Sequence, residues 1–193
     1  MPVIRAFIAI DLCAPIQEKI AAITNQLQKT CGPAVHWVPA KNIHLTLKFL
    51  GDVSPTNLDL LKKIIASESA RQKTFELTIS GLGAFPSPSR PRVIWVGVQA
   101  PPTLMALERG IEAETQRLGY TAEDRPFSPH LTLGRVTHNA NPQEVRQVAE
   151  GLQKMQVGDL GSYTVDVVKL FRSDLQPGGA VYTPLFASAL KTG

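Results

Sequence analysis

The chain has 193 residues, 44% of them hydrophobic and 19% charged, with 20 Lys and Arg against 16 Asp and Glu for a net charge of +4. That length allows one domain, or two small lobes, with a core that needs no covalent staples, and the ordinary balance excludes disorder, collagen, coiled coil and low-complexity repeats. Cys13 and Cys31 make neither a disulfide framework nor a metal motif. No apolar run reaches the roughly 18 residues of a membrane span, and the mild positive charge suits an anionic ligand without demanding one. A soluble chain in a reducing, cytoplasmic compartment is the expectation.

Residues 3–11 are short, apolar and β-branched, which predicts a buried strand; Arg5 inside the run argues against a signal peptide. Pro15 opens an amphipathic helix carried by Ile16, Ile20, Ile23 and Leu27 and ending near Gly32-Pro33. Residues 43–50 predict a strand stopped by Gly51-Asp52, and Ser54-Pro55 opens a helix with Leu58, Leu61, Ile64 and Ile65 on one face. Phe75, Leu77 and Ile79 alternate with polar residues as in a half-buried strand. The Pro- and Ser-rich stretch 83–91 predicts a loop. Strands at 92–99 and 130–137, helices at 102–118 and 142–152, and strands at 163–171 and 180–186 complete the chain, the last after a Pro-Gly-Gly turn.

This order repeats. The tetrapeptide His44-Leu45-Thr46-Leu47 recurs as His130-Leu131-Thr132-Leu133, and 130 − 44 = 86. The same shift carries residues 7–10 onto 93–96 and Pro15 onto Pro101. Pseudo-repeats of about 3–84 and 90–171 within a single bilobal domain are therefore expected, each a sheet with helices on one face, with the break near 85–91.

Within a strand, alternate side chains share a face. His44 and Thr46 therefore point one way while Leu45 and Leu47 enter a core, and the second copy behaves alike. Two imidazoles on facing lobes can divide proton transfer, the neutral one taking a proton and the charged one giving it. Opposite placement is what in-line displacement at phosphorus requires, and the threonine hydroxyls can donate to phosphoryl oxygens. No Asp, Glu or Cys lies at ligand spacing near either histidine, so no metal site is expected. His36 and His138 are read as surface residues.

With its flanks, this pair resembles the RNA 2′,3′-cyclic phosphodiesterases of the 2′-5′ RNA ligase group, within the two-histidine phosphoesterase superfamily. The matching stretches are WVPAKNIHLTLKFLGDV at 37–53, FSPHLTLGR at 127–135 and LFRSDLQPGGAVYTPL at 170–185, together with RAFIAIDL and GLGAFPSPSRPRVIWVGV. The chain departs from the pattern at His36, where a basic side chain is expected.

The resemblance implies an α+β, bilobal fold with two pseudo-symmetric, mainly antiparallel sheets, helices on their outer faces and a central cleft. It implies hydrolysis of an RNA terminal 2′,3′-cyclic phosphate to a 2′-phosphate without metal or cofactor, and a reverse reaction that joins RNA ends through a 2′-5′ linkage. His44 would be the proton donor, His130 the proton acceptor, and Thr46 and Thr132 would hold the phosphoryl oxygens. The partner is an RNA 3′ end bearing the cyclic phosphate, tRNA fragments included, with no membrane and no obligate protein partner.

Two neighbours stand beside the motifs. Arg135 is aimed away from His130 by strict alternation, unless Gly134 hosts a bulge that turns it back to grip phosphate. Phe49 holds the equivalent place in the first copy, as a base-stacking side chain or a core residue. Two other functions stay open: a receptor for RNA ends or nucleotides without turnover, and a phosphodiesterase acting on a small cyclic nucleotide or a 2′-5′ oligonucleotide.

Overall fold

The computed structural model describes residues 3–177 and 179–192. Its elements are β1 (Ile4–Asp11), α1 (Ala14–Cys31), β2 (Val35–Trp37), β3 (His44–Val53), α2 (Leu58–Arg71), β4 (Phe75–Ser87), β5 (Arg90–Gln99), α3 (Pro102–Arg117), β6 (His130–Val136), α4 (Pro142–Gln153), β7 (Asp159–Val165), β8 (Val167–Gln176) and β9 (Gly179–Ala189). The strands form two antiparallel sheets, in the orders β3-β1-β8-β9 and β2-β6-β5-β4-β7. Helices α2 and α3 lie on the first sheet and α1 and α4 on the second.

The local causes are those the sequence carries. Ile16, Ile20, Ile23 and Leu27 are buried on one stripe of α1, which ends at Gly32 with φ 73°. A capping box between Asn141 and Glu144 starts α4. Leu61 and Ile65 bury one side of α2. One hydrophobic cluster joins these helix faces to Ile8, Ile10, Leu45, Leu47, Ile94, Val96, Leu131 and Leu133 of the sheets. No described helix is long and apolar enough to cross a membrane.

Tertiary pairing alters the sequence-based reading in four places. Gly51-Asp52 does not stop β3: Leu50 bulges out of the ladder, Gly51 takes φ 67°, and the strand continues to Val53. The stretch 83–91 is a β-hairpin rather than a loop, with Pro86 facing Pro91 across β4 and β5. Neither proline donates, and beyond this point no third strand flanks the pair among the described residues, so the missing N–H groups cost little. The predicted strand 163–171 is two strands in different sheets, with Asp166 alone between β7 and β8. Strand β2 carried no legible pattern because it has only three residues.

The two sheets do not coincide with the two halves of the chain. β8, from the second half, pairs with β1, and β4, from the first half, pairs with β5. Residues 85–91, the predicted break, are thus the tip of a hairpin inside one sheet.

Candidate active site

β3 and β6 touch each other where the two sheets meet. Their leucines are fully inside: Leu45 and Leu131 are 1% and 0% exposed. His44, Thr46, His130 and Thr132 lie on the opposite faces of their strands and are half-buried. That placement follows from the period-two alternation.

Each histidine is held in the same way. His44 Nδ1 lies 2.8 Å from the carbonyl oxygen of Asn42, and His130 Nδ1 lies 2.7 Å from that of Ser128. A carbonyl only accepts, so Nδ1 carries the proton in both rings and Nε2 is the atom left for chemistry. The supporting carbonyl is two residues upstream in both cases, and 128 − 42 = 86. Extending the repeat alignment by two residues would have found this pair. Asn42 is fixed in turn, since its side-chain amide donates to the Ala180 carbonyl of β9 at 2.9 Å.

The surroundings differ. His44 stacks on Phe7 at 4.6 Å and meets Tyr182 edge-on at 5.3 Å. Tyr182 stands on β9, the opposite edge of this sheet from β3, so the sheet curls to bring it over the ring. Burial pushes the His44 imidazole below its ordinary range, against the opposing pulls of the Asn42 carbonyl and the Asp11 carboxylate. Asp11 faces His44 across the ladder and binds Lys169 Nζ at 2.6 Å. These groups line a pocket of about 250 Å³ with Gln17, Lys41 and Phe171. His130 instead meets Phe85 edge-on at 5.0 Å, with Trp95 at 6.5 Å. Trp95 lies over Gly83, where a Cβ would come within 2.3 Å of the indole, so only glycine fits there.

Arg135 is exposed and lies on the His130 face. The bulge that puts it there is at Leu133, which has no partner of its own between Gly134 and Thr132 in the β5 ladder. Gly134 serves a different need: a Cβ there would come within 2.8 Å of Val35 and 3.0 Å of Trp37, so glycine lets β2 approach. Burial raises the Tyr182 hydroxyl, against the opposing pulls of the Arg135 and Arg5 charges. A matching bulge at Leu47 sends Phe49 outward, and its ring is 60% exposed, so it is no core residue. His36 and His138 are exposed, as expected; His36 pairs with Arg135 in the ladder.

The same bulges turn Lys48 inward. Its side chain is 1% exposed, pairs with Glu112 Oε2 at 2.7 Å and donates to the Thr121 carbonyl at 2.6 Å. A buried ammonium is tolerated only when so partnered. Lys48 thereby ties the His44 strand to α3 and to the segment that runs on to His130. The sequence offered no signal for it, because it reads as an ordinary strand lysine.

Two sheets that meet at β3 and β6 each present a histidine held through Nδ1 by a carbonyl two residues upstream, an arrangement suited to paired proton transfer. Comparison with known proteins agrees: the family model for LigT-like phosphoesterases matches the chain twice, over residues 10–95 and 96–182. The chain belongs to this family and is an enzyme of the phosphodiesterase class. It is 36% identical to the RNA 2′,3′-cyclic phosphodiesterase of Methanothermobacter thermautotrophicus, covering 94% of this chain and 96% of that one. It is 32% identical to the protein of that name from Escherichia coli, covering 96% of each. Among solved structures, Escherichia coli LigT complexed with 3′-AMP superposes with a TM-score of 0.77 at 32% identity, covering 98% of this chain and 99% of the other. The protein TT0787 of Thermus thermophilus gives a TM-score of 0.81 at 25% identity, covering 97% and 98%.

Proposed function

We propose that this chain opens RNA terminal 2′,3′-cyclic phosphates to 2′-phosphates, using His44 as acid and His130 as base and no metal ion. The observation that carries the reading is the matched pair of Nδ1–carbonyl hydrogen bonds, which leaves a reactive Nε2 on each histidine. In the reaction, His130 Nε2 takes a proton from water as the water oxygen bonds to phosphorus. The bond from phosphorus to the 3′ oxygen breaks, and His44, acting as the imidazolium with Nδ1–H still on the Asn42 carbonyl, gives that oxygen its Nε2 proton. Thr46 and Thr132 donate hydrogen bonds to the non-bridging oxygens, where charge gathers. Arg135 adds a guanidinium for phosphate, and exposed Phe49 offers a face for a base.

With an RNA 5′ hydroxyl in place of water, the same proton exchanges would join RNA ends through a 2′-5′ linkage, and the two histidines swap roles when that linkage is cleaved again. The relatives' names support the RNA substrate. RNA 3′ ends, tRNA fragments among them, met in the cytoplasm without an obligate protein partner, complete the reading. We also read residues of about 3–84 and 90–171 as copies of one unit in a single bilobal domain, supported by the 86-residue offset between the matched histidines and their carbonyls.

The test is to incubate the protein with an RNA ending in a 2′,3′-cyclic phosphate and map the product, with and without EDTA. A 2′-phosphate formed equally in both is expected. A 3′-phosphate product would reverse the leaving group, and loss on chelation restored by a divalent ion would overturn the metal-free route.

A further inference from the structure

On the second sheet, the ladder sets an ordered line of side chains. His130 stands opposite Gly97, Thr132 opposite Trp95 and Arg135 opposite Val93, which faces Phe85 on β4. Beyond that row β6 no longer pairs with β5, and β7 pairs with β4 only as far as Ser80. The hairpin of β4 and β5 therefore runs on alone, as a two-stranded arm from Pro86 to Arg92. Arg92 bulges from its ladder, and Arg90 faces Ser87, two residues past Phe85, which is about 7 Å further from the catalytic row at a strand's rise.

Both arginines are exposed, as is Arg135. None of the three forms an ion pair among the described residues. No Asp or Glu occurs between Leu77 and Leu107, so nothing on β5 or the arm neutralises them. The arm is anchored at the reaction centre, because Phe85 at its base packs against His130. A solvated surface would mix both signs of charge; a run of cations extending from a phosphate-handling histidine matches a polyanion threaded past it.

We propose that the β4–β5 arm binds the backbone phosphates of single-stranded RNA leading to the reacting end, through Arg90 and Arg92 outboard of Arg135. The inference rests on the RNA reading above. It makes the enzyme favour a polynucleotide end over a mononucleotide, through contacts with phosphates that do not react.

The experiment compares the wild type with Arg90→Gln/Arg92→Gln. Binding of a single-stranded RNA oligonucleotide with a 3′-phosphate is followed by fluorescence anisotropy across salt concentration. Turnover is measured on an RNA oligonucleotide and on a mononucleoside, each ending in a 2′,3′-cyclic phosphate. The double variant should bind the oligonucleotide roughly tenfold more weakly at low salt, and its slope of log affinity against log salt should shrink by about 1.4, the value for two lost single-strand phosphate contacts. Its kcat/KM should fall on the oligonucleotide and hold on the mononucleoside, which also serves as the folding control. Unchanged oligonucleotide binding, or equal loss on both substrates, would overturn the proposal. Equal weakening toward polyglutamate would also overturn it, marking an indiscriminate anion patch. If the wild type turned over neither cyclic substrate, the RNA-hydrolase reading would fall while the binding comparison still judged the arm.

Discussion

The two copies of His-Leu-Thr-Leu share a backbone and differ in their neighbours. Position by position, 86 residues apart, Asp11 beside His44 becomes Gly97 beside His130, Ala9 beside Thr46 becomes Trp95 beside Thr132, and the pair Phe7–Phe49 becomes Val93–Arg135. Both copies bury their leucines, bulge at the second one and hold the imidazole Nδ1 on an upstream carbonyl. One sheet then encloses its histidine in aromatic rings beside a carboxylate, and the other opens toward arginine. Backbone geometry is what a repeated motif transmits, while the burial that pushes the His44 imidazole down comes from rings and chain that the repeat does not share.

The hardest test of that comparison removes each histidine in turn. His44→Ala and His130→Ala should each lower turnover by roughly 10²–10⁴, with little change in melting temperature. The pH profile separates them. Without His130 the acidic limb should flatten, and the residual activity should fall as pH rises through the pKa of His44 in the free protein, below the ordinary 6.5. Without His44 the alkaline limb should flatten. Exchange of the two limbs would reverse the acid and base labels.

A smaller effect is expected at the threonines. On the proposed mechanism, Thr46→Ala and Thr132→Ala would each remove one hydrogen bond to a charged oxygen, and each should lower kcat/KM by about 10- to 100-fold. Unequal losses would rank the sheets by how much phosphoryl charge each one holds, and no loss at either would remove both from the mechanism.

The smallest effect is on stability, and it is read at His44. Its cation is disfavoured in the folded state, so the unfolded chain binds the proton at higher pH than the folded one. The stabilising difference is complete above the unfolded value of about 6.5 and is lost as pH falls from there through the folded value. Denaturant melts of the wild type and His44→Gln at about pH 7.5 and about pH 5 check this. The wild type should lose more stability between the two; equal losses would mean that burial of the ring does not control its proton.

Much of this was legible from residue order alone. Alternation in each HLTL assigned His and Thr to one face and Leu to the core, and helical spacing found the buried stripe of α1. The sequence reading allowed a bulge near Gly134 and so a route for Arg135, although the displaced residue is Leu133. Local periodicity reports which face of an element is apolar, and for these positions that was enough.

Strand partnership was not legible, because it depends on residues distant in the chain. Nothing at Asp166 indicates that the chain changes sheets there, or that β8 returns to β1 while β4 stays with β5. The aromatic enclosure of His44 by Tyr182, the latch from Asn42 to Ala180 and the buried Lys48–Glu112 pair all come from that long-range arrangement. The sequence by itself determined that each His shares a strand face with its Thr, opposite the buried leucines, since residue type and a period of two are local properties. Only the tertiary structure decided how His44 is tuned, because burial and charge proximity arise when distant strands are brought together.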